Sequence, residues 1–312
     1  MIDSPLVSVI CLCYNHERFV REVINSVLSQ SYSNVQLIVV DDASTDGSKS
    51  MIAEMLEGTS IEFINLGSNL GNTKAFNQGL SEAKGKYIID LAADDVLVQN
   101  RIEKQVAFFE ECEQTTGVIY SDAIYIDEDS NELNTHFSNM KLTPFTGDIY
   151  EKVISKYFIS PPTMMMKSDV LRELDGYDEN LAYEDFDFWI RSSRKWQYEY
   201  QAAVLTKVRK TEGSLSSKAY AKNDQQLHST YLVCQKIKSL NRTHLEHEAL
   251  KERLKYEIKH AVFSGSFKEA KLFIGLFKEL QQLTVQLQAL SFLADLKIDL
   301  SFFRRAYLRS AH

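Results

Sequence analysis

The sequence predicts an α/β fold with a mostly parallel central sheet flanked by helices, followed by a C-terminal helical region. Three observations predict it. Short runs rich in Val and Ile alternate with segments of helical spacing between residues 7 and 91. Each run ends on a polar break. From about Tyr220 onward helical periodicity dominates, with no proline and little glycine.

Val7 to Cys13 is an apolar run of the kind found in strands buried on both faces. Tyr14-Asn15-His16 breaks it, and Phe19/Val20, Val23/Ile24 and Val27/Leu28 then recur at helical spacing. Val35 to Val40 is a second buried strand ending on Asp41-Asp42. Ser44, Thr45 and Asp46 supply cap chemistry for a helix with Met51, Ile52, Met55 and Leu56 on its apolar face. Ile61 to Ile64 is a third strand, Asn69–Asn72 a turn, and 73–83 a helix. Tyr87 to Leu91 is a fourth strand, followed by Asp94-Asp95 and a helix starting near Gln99. Val118 to Ile126 reads as a strand of a mixed sheet, 127–147 as a polar loop, and Met164–Met166 as a core strand. Strands alternating with helices imply right-handed βαβ units, which bind ligands at the carboxyl ends of the strands. The polar breaks fall at those ends.

The bulk properties narrow the function. A net charge of −8 and a pI near 5.5 argue against a protein held to nucleic acid by phosphate contacts. The cysteines Cys11, Cys13, Cys112 and Cys234 form no CxxC, and Asp3 precedes any apolar run, so a reducing cytoplasm is expected. No stretch approaches the roughly 18 apolar residues of a membrane span.

The paired carboxylates of Asp94 and Asp95 need an explanation, because adjacent like charges repel and both are costly to desolvate. No G-x-G-x-x-G follows the first strand, and no GxxxxGK[ST] occurs anywhere. A diphosphate would therefore not sit on a glycine-rich helix start. A hard divalent cation shared between carboxylates and phosphates is the other common solution, and Asp94 and Asp95 can supply its ligands.

Three stretches carry a resemblance: "PLVSVICLCYNHERFVREVINSVLSQSYSNVQLIVVDDASTDGS", "NLGNTKAFNQGLSEAKGKYIIDLAADD" and "GYDENLAYEDFDFWIR". Over roughly residues 5–217, in order and spacing, the chain resembles a family 2 glycosyltransferase of the GT-A fold. The resemblance implies a catalytic domain over 1–220, with a nucleotide-sugar half to about 97 and an acceptor half after it, and a helical region over 221–312. It implies that Tyr14, Asn15, Asp41 and Asp42 hold the base and ribose of a nucleotide, usually uridine, with Lys74 facing it. Asp94 matches the last acid of the family's DxD motif, which holds Mn²⁺ or Mg²⁺ between the two phosphates; Asp95 stands beside it. Asp185 matches the catalytic base, and Glu184 is expected to position the acceptor.

Two positions depart from the pattern. Ala92 stands where the motif usually begins with an acid, and Thr211 stands where many members carry a histidine before a flexible loop. Arg209 or Lys210 is then the expected contact for the diphosphate, and 212–219 reads as a lid. The implied activity is inverting transfer from a nucleoside diphosphate sugar, most simply a UDP-sugar, to a glycan or lipid-linked acceptor in bacterial surface polysaccharide synthesis. A non-catalytic nucleotide-sugar-binding relative and a metal-dependent nucleotidyltransferase are the alternatives.

Plainer readings stand beside these. Asp41-Asp42 and Asp94-Asp95 can begin turns or cap helices. Tyr14 can be core or a stacking platform, and Lys74 a surface lysine. Glu184, Asp185 and Asp187 suit the first turn of a helix carrying Phe188, Trp189 and Ile190. His16, His136, His244, His247 and His260 form no metal-ligand spacing. The amphipathic C-terminal region ends on Phe302, Phe303, Arg304, Arg305, Tyr307, Leu308 and Arg309. It fits peripheral contact with an anionic membrane, packing on the catalytic domain, or a homodimer interface.

Overall fold

The computed structural model describes residues 4–211 and 225–298. The expected lid at 212–219 and the aromatic–basic end at 302–309 lie outside the described residues. The described chain forms two compact units. One comprises 4–149, 158–179 and 191–211; the other comprises 150–157, 180–190 and 225–298.

The first unit is built on one nine-stranded sheet. Strands β1 (Val7–Cys13), β2 (Val35–Asp41), β3 (Glu62–Asn65) and β4 (Tyr87–Ala92) pair in parallel, in the order β3-β2-β1-β4. All seven residues of β1 are buried, so an unbroken apolar run, not an alternating one, encodes this central strand. Helices α1 (Val20–Leu28), α2 (Ser48–Leu56) and α3 (Asn72–Glu82) make the crossovers. α3 comes close to the sheet because Gly79 lacks a side chain; a Cβ there would meet Ile10 Cγ2 at 2.5 Å.

Beyond β4 the sheet becomes mixed. β8 (Met165–Lys167) lies antiparallel between β4 and β6 (Thr116–Ile126) and leads into the short helix α7 (Ser168–Glu173). β6 pairs in parallel with β9 (Gln197–Arg209), and β9 pairs antiparallel with the short β5 (Val96–Leu97). The sequence does not announce β9. Its register against β6 jumps from Ser121↔Gln201 to Asp122↔Val204 and again to Ala123↔Thr206, so Ala202, Ala203 and Leu205 are extra residues, an odd number that breaks the period of two. The segment expected as a loop, 127–147, contains β7 (Glu132–Thr135), paired with β6, and α5 (His136–Met140). The cap expected from Ser44–Asp46 falls at Gly47, although Asp46 Oδ1 still accepts from Ser48 N at 2.9 Å. Helix α4 (Arg101–Glu111) starts after Asn100, so Asp94 and Asp95 do not cap it.

Arg101 ties the mixed half together. It is fully buried and donates through Nε to Gln105 Oε1 (2.9 Å), through Nη1 to Thr206 Oγ1 (2.9 Å) and through Nη2 to Met164 O (3.0 Å). Burial lowers its pKa to about 9, against the opposing pull of Asp95.

The second unit contains α6 (Tyr150–Ser155), the start of α8 (Glu184–Ser192), and helices α9 (Gln225–Leu240), α10 (His244–Phe263), α11 (Phe267–Leu280) and α12 (Val285–Asp295). α10 lies against α6, α9, α11 and α12. A capping box starts it, with Thr243 Oγ1 accepting from Glu246 N and Glu246 Oε2 from Thr243 N. His244 lies 3.4 Å from Glu248 on the exposed face of α10. Among the described residues no helix is long and apolar enough to cross a membrane.

Arg101→Met would remove the donor that Arg101 gives to two buried acceptors, Gln105 Oε1 and Thr206 Oγ1. At roughly 1–3 kcal/mol for each buried group left unsatisfied, urea denaturation should show a loss of about 2–5 kcal/mol; a loss within experimental error would refute the structural role of Arg101.

Candidate active site

The strand register decides which side chains share an edge. Cys13 pairs with Asp41, Leu12 with Ala92, and Asp41 with Asn65. Tyr14-Asn15, Asp42 and Asp94 therefore leave the sheet side by side at its carboxyl edge. Three backbone bonds continue the ladder past the strand ends: Asp42 N to Cys13 O (2.8 Å), Ala93 N to Leu12 O (2.8 Å) and Leu66 N to Asp41 O (2.9 Å).

Two loops on this rim are laced to each other. Asn15 adopts a left-handed conformation (φ 58°), and its Oδ1 accepts from Thr45 N at 2.7 Å. In return Ser44 Oγ accepts from Asn15 N, Ser48 Oγ from His16 N, and Asp46 Oδ2 from Glu17 N, at 2.9–3.0 Å. Ala43 is also left-handed, at φ 59°. Such conformations cost a non-glycine residue of order 1 kcal/mol and persist where surrounding bonds enforce them. The result places the Tyr14 ring, 44% exposed, at the mouth of the rim.

The two acids of Asp41-Asp42 have separate surroundings. Asp42 uses both oxygens on the loop before α3, accepting from Leu70 N (2.7 Å) and Gly71 N (2.8 Å). Gly71 sits at φ 87°, which a side chain would strain. Asp41 Oδ1 accepts from Ser44 N at 2.9 Å, while its Oδ2 is buried with no hydrogen-bond partner among the described residues. Lys74, in the first turn of α3, is exposed.

Asp94 and Asp95 divide in the same way. Asp95 is buried, and its Oδ1 accepts from Arg209 N at 2.9 Å. Burial, reinforced by the Asp94 charge, raises its carboxyl well above the ordinary carboxylate range. Asp94 keeps a partly exposed side chain, with Oδ2 3.8 Å from His16 Nε2. His16 Nδ1 is buried without a partner among the described residues.

Arg209 has a fully buried side chain. It donates through Nε to Asp94 O (3.0 Å), through Nη1 to Asp127 O and Ser130 Oγ (both 3.0 Å), and through Nη2 to Glu22 Oε2 (2.7 Å). Its guanidinium lies 4.5 Å from the centre of the Phe19 ring. Any contact between Arg209 and a diphosphate would have to displace these bonds. Lys210 follows it, with Nζ 3.9 Å from the centre of the Tyr125 ring; burial lowers its pKa, against the pull of Asp95.

Sequence reasoning missed His16, Glu22 and Phe19 as rim residues. Only His16 left a signal, by following Tyr14-Asn15 at a strand end. Among the described residues no three His, Cys, Asp or Glu side chains converge as a ready-made metal cage. The rim nevertheless fits a divalent ion held by one carboxylate, Asp94, and completed by substrate phosphates, the usual way such ions are bound beside nucleotides.

Asp185 and Glu184 belong to the second unit. They open α8, with Glu184 buried and Asp185 half-buried. The neighbouring Tyr183 hydroxyl is pushed well above its ordinary pKa by burial, and then by Tyr157 and Asp185.

Comparison with known proteins bears on this arrangement. The family described as "Glycosyl transferase family 2" matches residues 8–175. An uncharacterized glycosyltransferase of Methanocaldococcus jannaschii is 34% identical over 219 residues, covering 67% of this chain and 72% of the relative. Across five such relatives the match spans between 32% and 72% of their length. In fold, the chain is similar to Staphylococcus aureus TarS 1-349 in complex with UDP-GlcNAc, with a TM-score of 0.68 at 20% identity, covering 98% of this chain and 92% of that one. It is also similar to the mannosyltransferase PcManGT of Pyrobaculum calidifontis in complex with GDP-Man and Mn²⁺, with a TM-score of 0.60 at 17% identity, covering 95% and 87%. The family match over more than half of the chain, and the relative from M. jannaschii, establish that this protein belongs to glycosyl transferase family 2, with the α/β, GT-A-type architecture of its structural neighbours.

Proposed function

We propose that the chain is an inverting glycosyltransferase that moves a sugar from a UDP-sugar to a hydroxyl of a glycan or lipid-linked glycan of the bacterial cell surface. The observation that carries this reading is the carboxyl rim. It offers an exposed ring at Tyr14, an unsatisfied buried acceptor at Asp41 Oδ2, and a partly exposed carboxylate at Asp94. The two structural neighbours, described with UDP-GlcNAc and with GDP-Man and Mn²⁺, support a nucleotide-sugar donor.

The resemblance and the rim geometry together support the following roles. Tyr14 stacks on the base, and Asp41 Oδ2 accepts a hydrogen bond from the base or ribose. Asn15 and Asp42 act one step back, by fixing the loops that carry these contacts. Asp94 would hold Mn²⁺ or Mg²⁺, with Asp95, already bonded to Arg209 N, fixing the backbone beside it. When bound, the ion neutralises the negative charge that grows on the leaving diphosphate. Lys210 adds a further positive charge for that group, because the guanidinium of Arg209 is committed to the chain. Lys74 faces the nucleotide from α3.

In the second unit, Asp185 takes the proton from the acceptor hydroxyl, and Glu184 positions the acceptor. The acceptor oxygen forms a bond to the anomeric carbon as the bond from that carbon to the diphosphate breaks. The electron pair leaves with the diphosphate and the proton ends on Asp185. One displacement with no enzymic nucleophile inverts the anomeric centre, the logic that separates inverting from retaining glycosidases.

Asp185→Asn should lower kcat by about 10²–10⁴-fold, the usual contribution of a positioned base, while UDP binding measured by calorimetry stays unchanged. An unaffected rate would remove Asp185 from this role. Melting curves of the wild-type chain with UDP should rise on adding Mn²⁺ and fall back with EDTA; at 100 times Kd a ligand adds about 2.7 kcal/mol to stability. A UDP-induced rise indifferent to both would contradict metal-assisted donor binding.

A further inference from the structure

The second unit does more than carry Asp185: it grips the chain on both sides of it. Ala182 N donates to Ser229 Oγ of α9 at 2.8 Å. Asp187, whose side chain is fully buried, accepts from Lys236 Nζ of α9 at 2.6 Å. Phe186 packs edge-on against Tyr157, with centroids 4.9 Å apart and planes at 80°. The Arg253 guanidinium of α10 covers both rings, 3.9 Å from the centre of Tyr157 and 5.2 Å from that of Phe186. Arg253 is itself held by Ile154 O (2.8 Å) and Glu257 Oε1 (3.2 Å). Tyr157 also meets Tyr183 edge-on at 5.7 Å.

The contacts flank residue 185 at i−3, i−2, i+1 and i+2. A helix start has unsatisfied backbone groups and frays readily. Here a charge pair with one partner fully buried, a cation–π stack and a backbone bond all fix that start. A solvated acidic first turn would not need such an investment, since surface ion pairs contribute little. Placement matters to a base, because an error of about 1 Å in a reacting group can cost about 100-fold in rate.

We propose that the C-terminal helices form a positioning frame for the base, with Lys236 acting through Asp187, Arg253 through Phe186 and Ser229 through Ala182. This rests on the reading of Asp185 as the base. The frame assigns a catalytic contribution to α9 and α10, which lie beyond the part of the chain matched to the family.

The test uses the full chain and reads UDP release from the UDP-sugar that wild type turns over fastest, together with the stoichiometry and Kd of UDP by calorimetry. Lys236→Gln should lower kcat by about 10- to 100-fold with full UDP stoichiometry and unchanged Kd, and Lys236→Arg should recover most of the rate. Lys238→Gln, on the same helix but paired with Glu279, should match wild type. Ser229→Ala cuts a tether to the exposed Ala182 and should lower kcat by about threefold or more; it decides the matter if Lys236→Gln does not fold. Wild-type kcat in Lys236→Gln, or in Ser229→Ala when that variant decides, overturns the frame. So does a kcat that falls only in proportion to UDP stoichiometry, the mark of a merely structural role. Retained turnover in Asp185→Asn would instead overturn the base assignment.

Discussion

A buried carboxylate and a buried arginine, Asp95 and Arg209, anchor the rim on which the rest of the site depends. A guanidinium taken out of water is destabilising unless its donors are met. Four acceptors meet Arg209, on Asp94, Asp127, Ser130 and Glu22, and they come from three different parts of the chain: the turn after β4, the turn after β6 and α1. Asp95 in turn receives the backbone N–H of the same residue. The lock therefore joins the end of β9 to the turn after β4 and to the first helix. It also fixes the backbone of Asp94, whose carboxylate stays partly exposed. One acid of the pair is consumed by structure, and the other keeps a partly exposed carboxylate.

The same division recurs across the rim. Asp42 spends both oxygens on the loop before α3, while Asp41 keeps one oxygen without a partner. Asn15 and Ala43 hold left-handed backbone that the loop-to-loop bonds enforce. Strain and unsatisfied polar groups are expected where a ligand completes the bonding, and Asn15, Ala43 and Asp41 Oδ2 supply both at these strand ends. In the proposed reading the metal site is modest in the same sense: a single carboxylate would suffice where the substrate brings its own oxygens.

Much of this was legible in the sequence. Buried parallel strands are written as continuous apolar runs, so β1, β2 and β4 could be read directly, and their polar ends marked the rim. The resemblance placed the family. What could not be read were features set by partners distant in sequence. β9 hides because three extra residues, Ala202, Ala203 and Leu205, interrupt its alternation. Arg209 reads equally well as a phosphate contact or as a clamp; the choice is made by carbonyls at residues 94 and 127. Paired acids likewise look equivalent on paper and are separated only by burial. His16 carries no spacing signal, yet it stands beside Asp94.

The division of labour between Asp94 and Asp95 is the central claim, and water-proton relaxation of Mn²⁺ in the presence of UDP tests it most directly. Asn at position 95 can still accept the Arg209 N–H through its carbonyl oxygen, so Asp95→Asn should retain the enhancement that a protein-bound ion gives. Asp94→Asn should lose it. Loss of the bound ion in Asp95→Asn with its retention in Asp94→Asn would contradict the account.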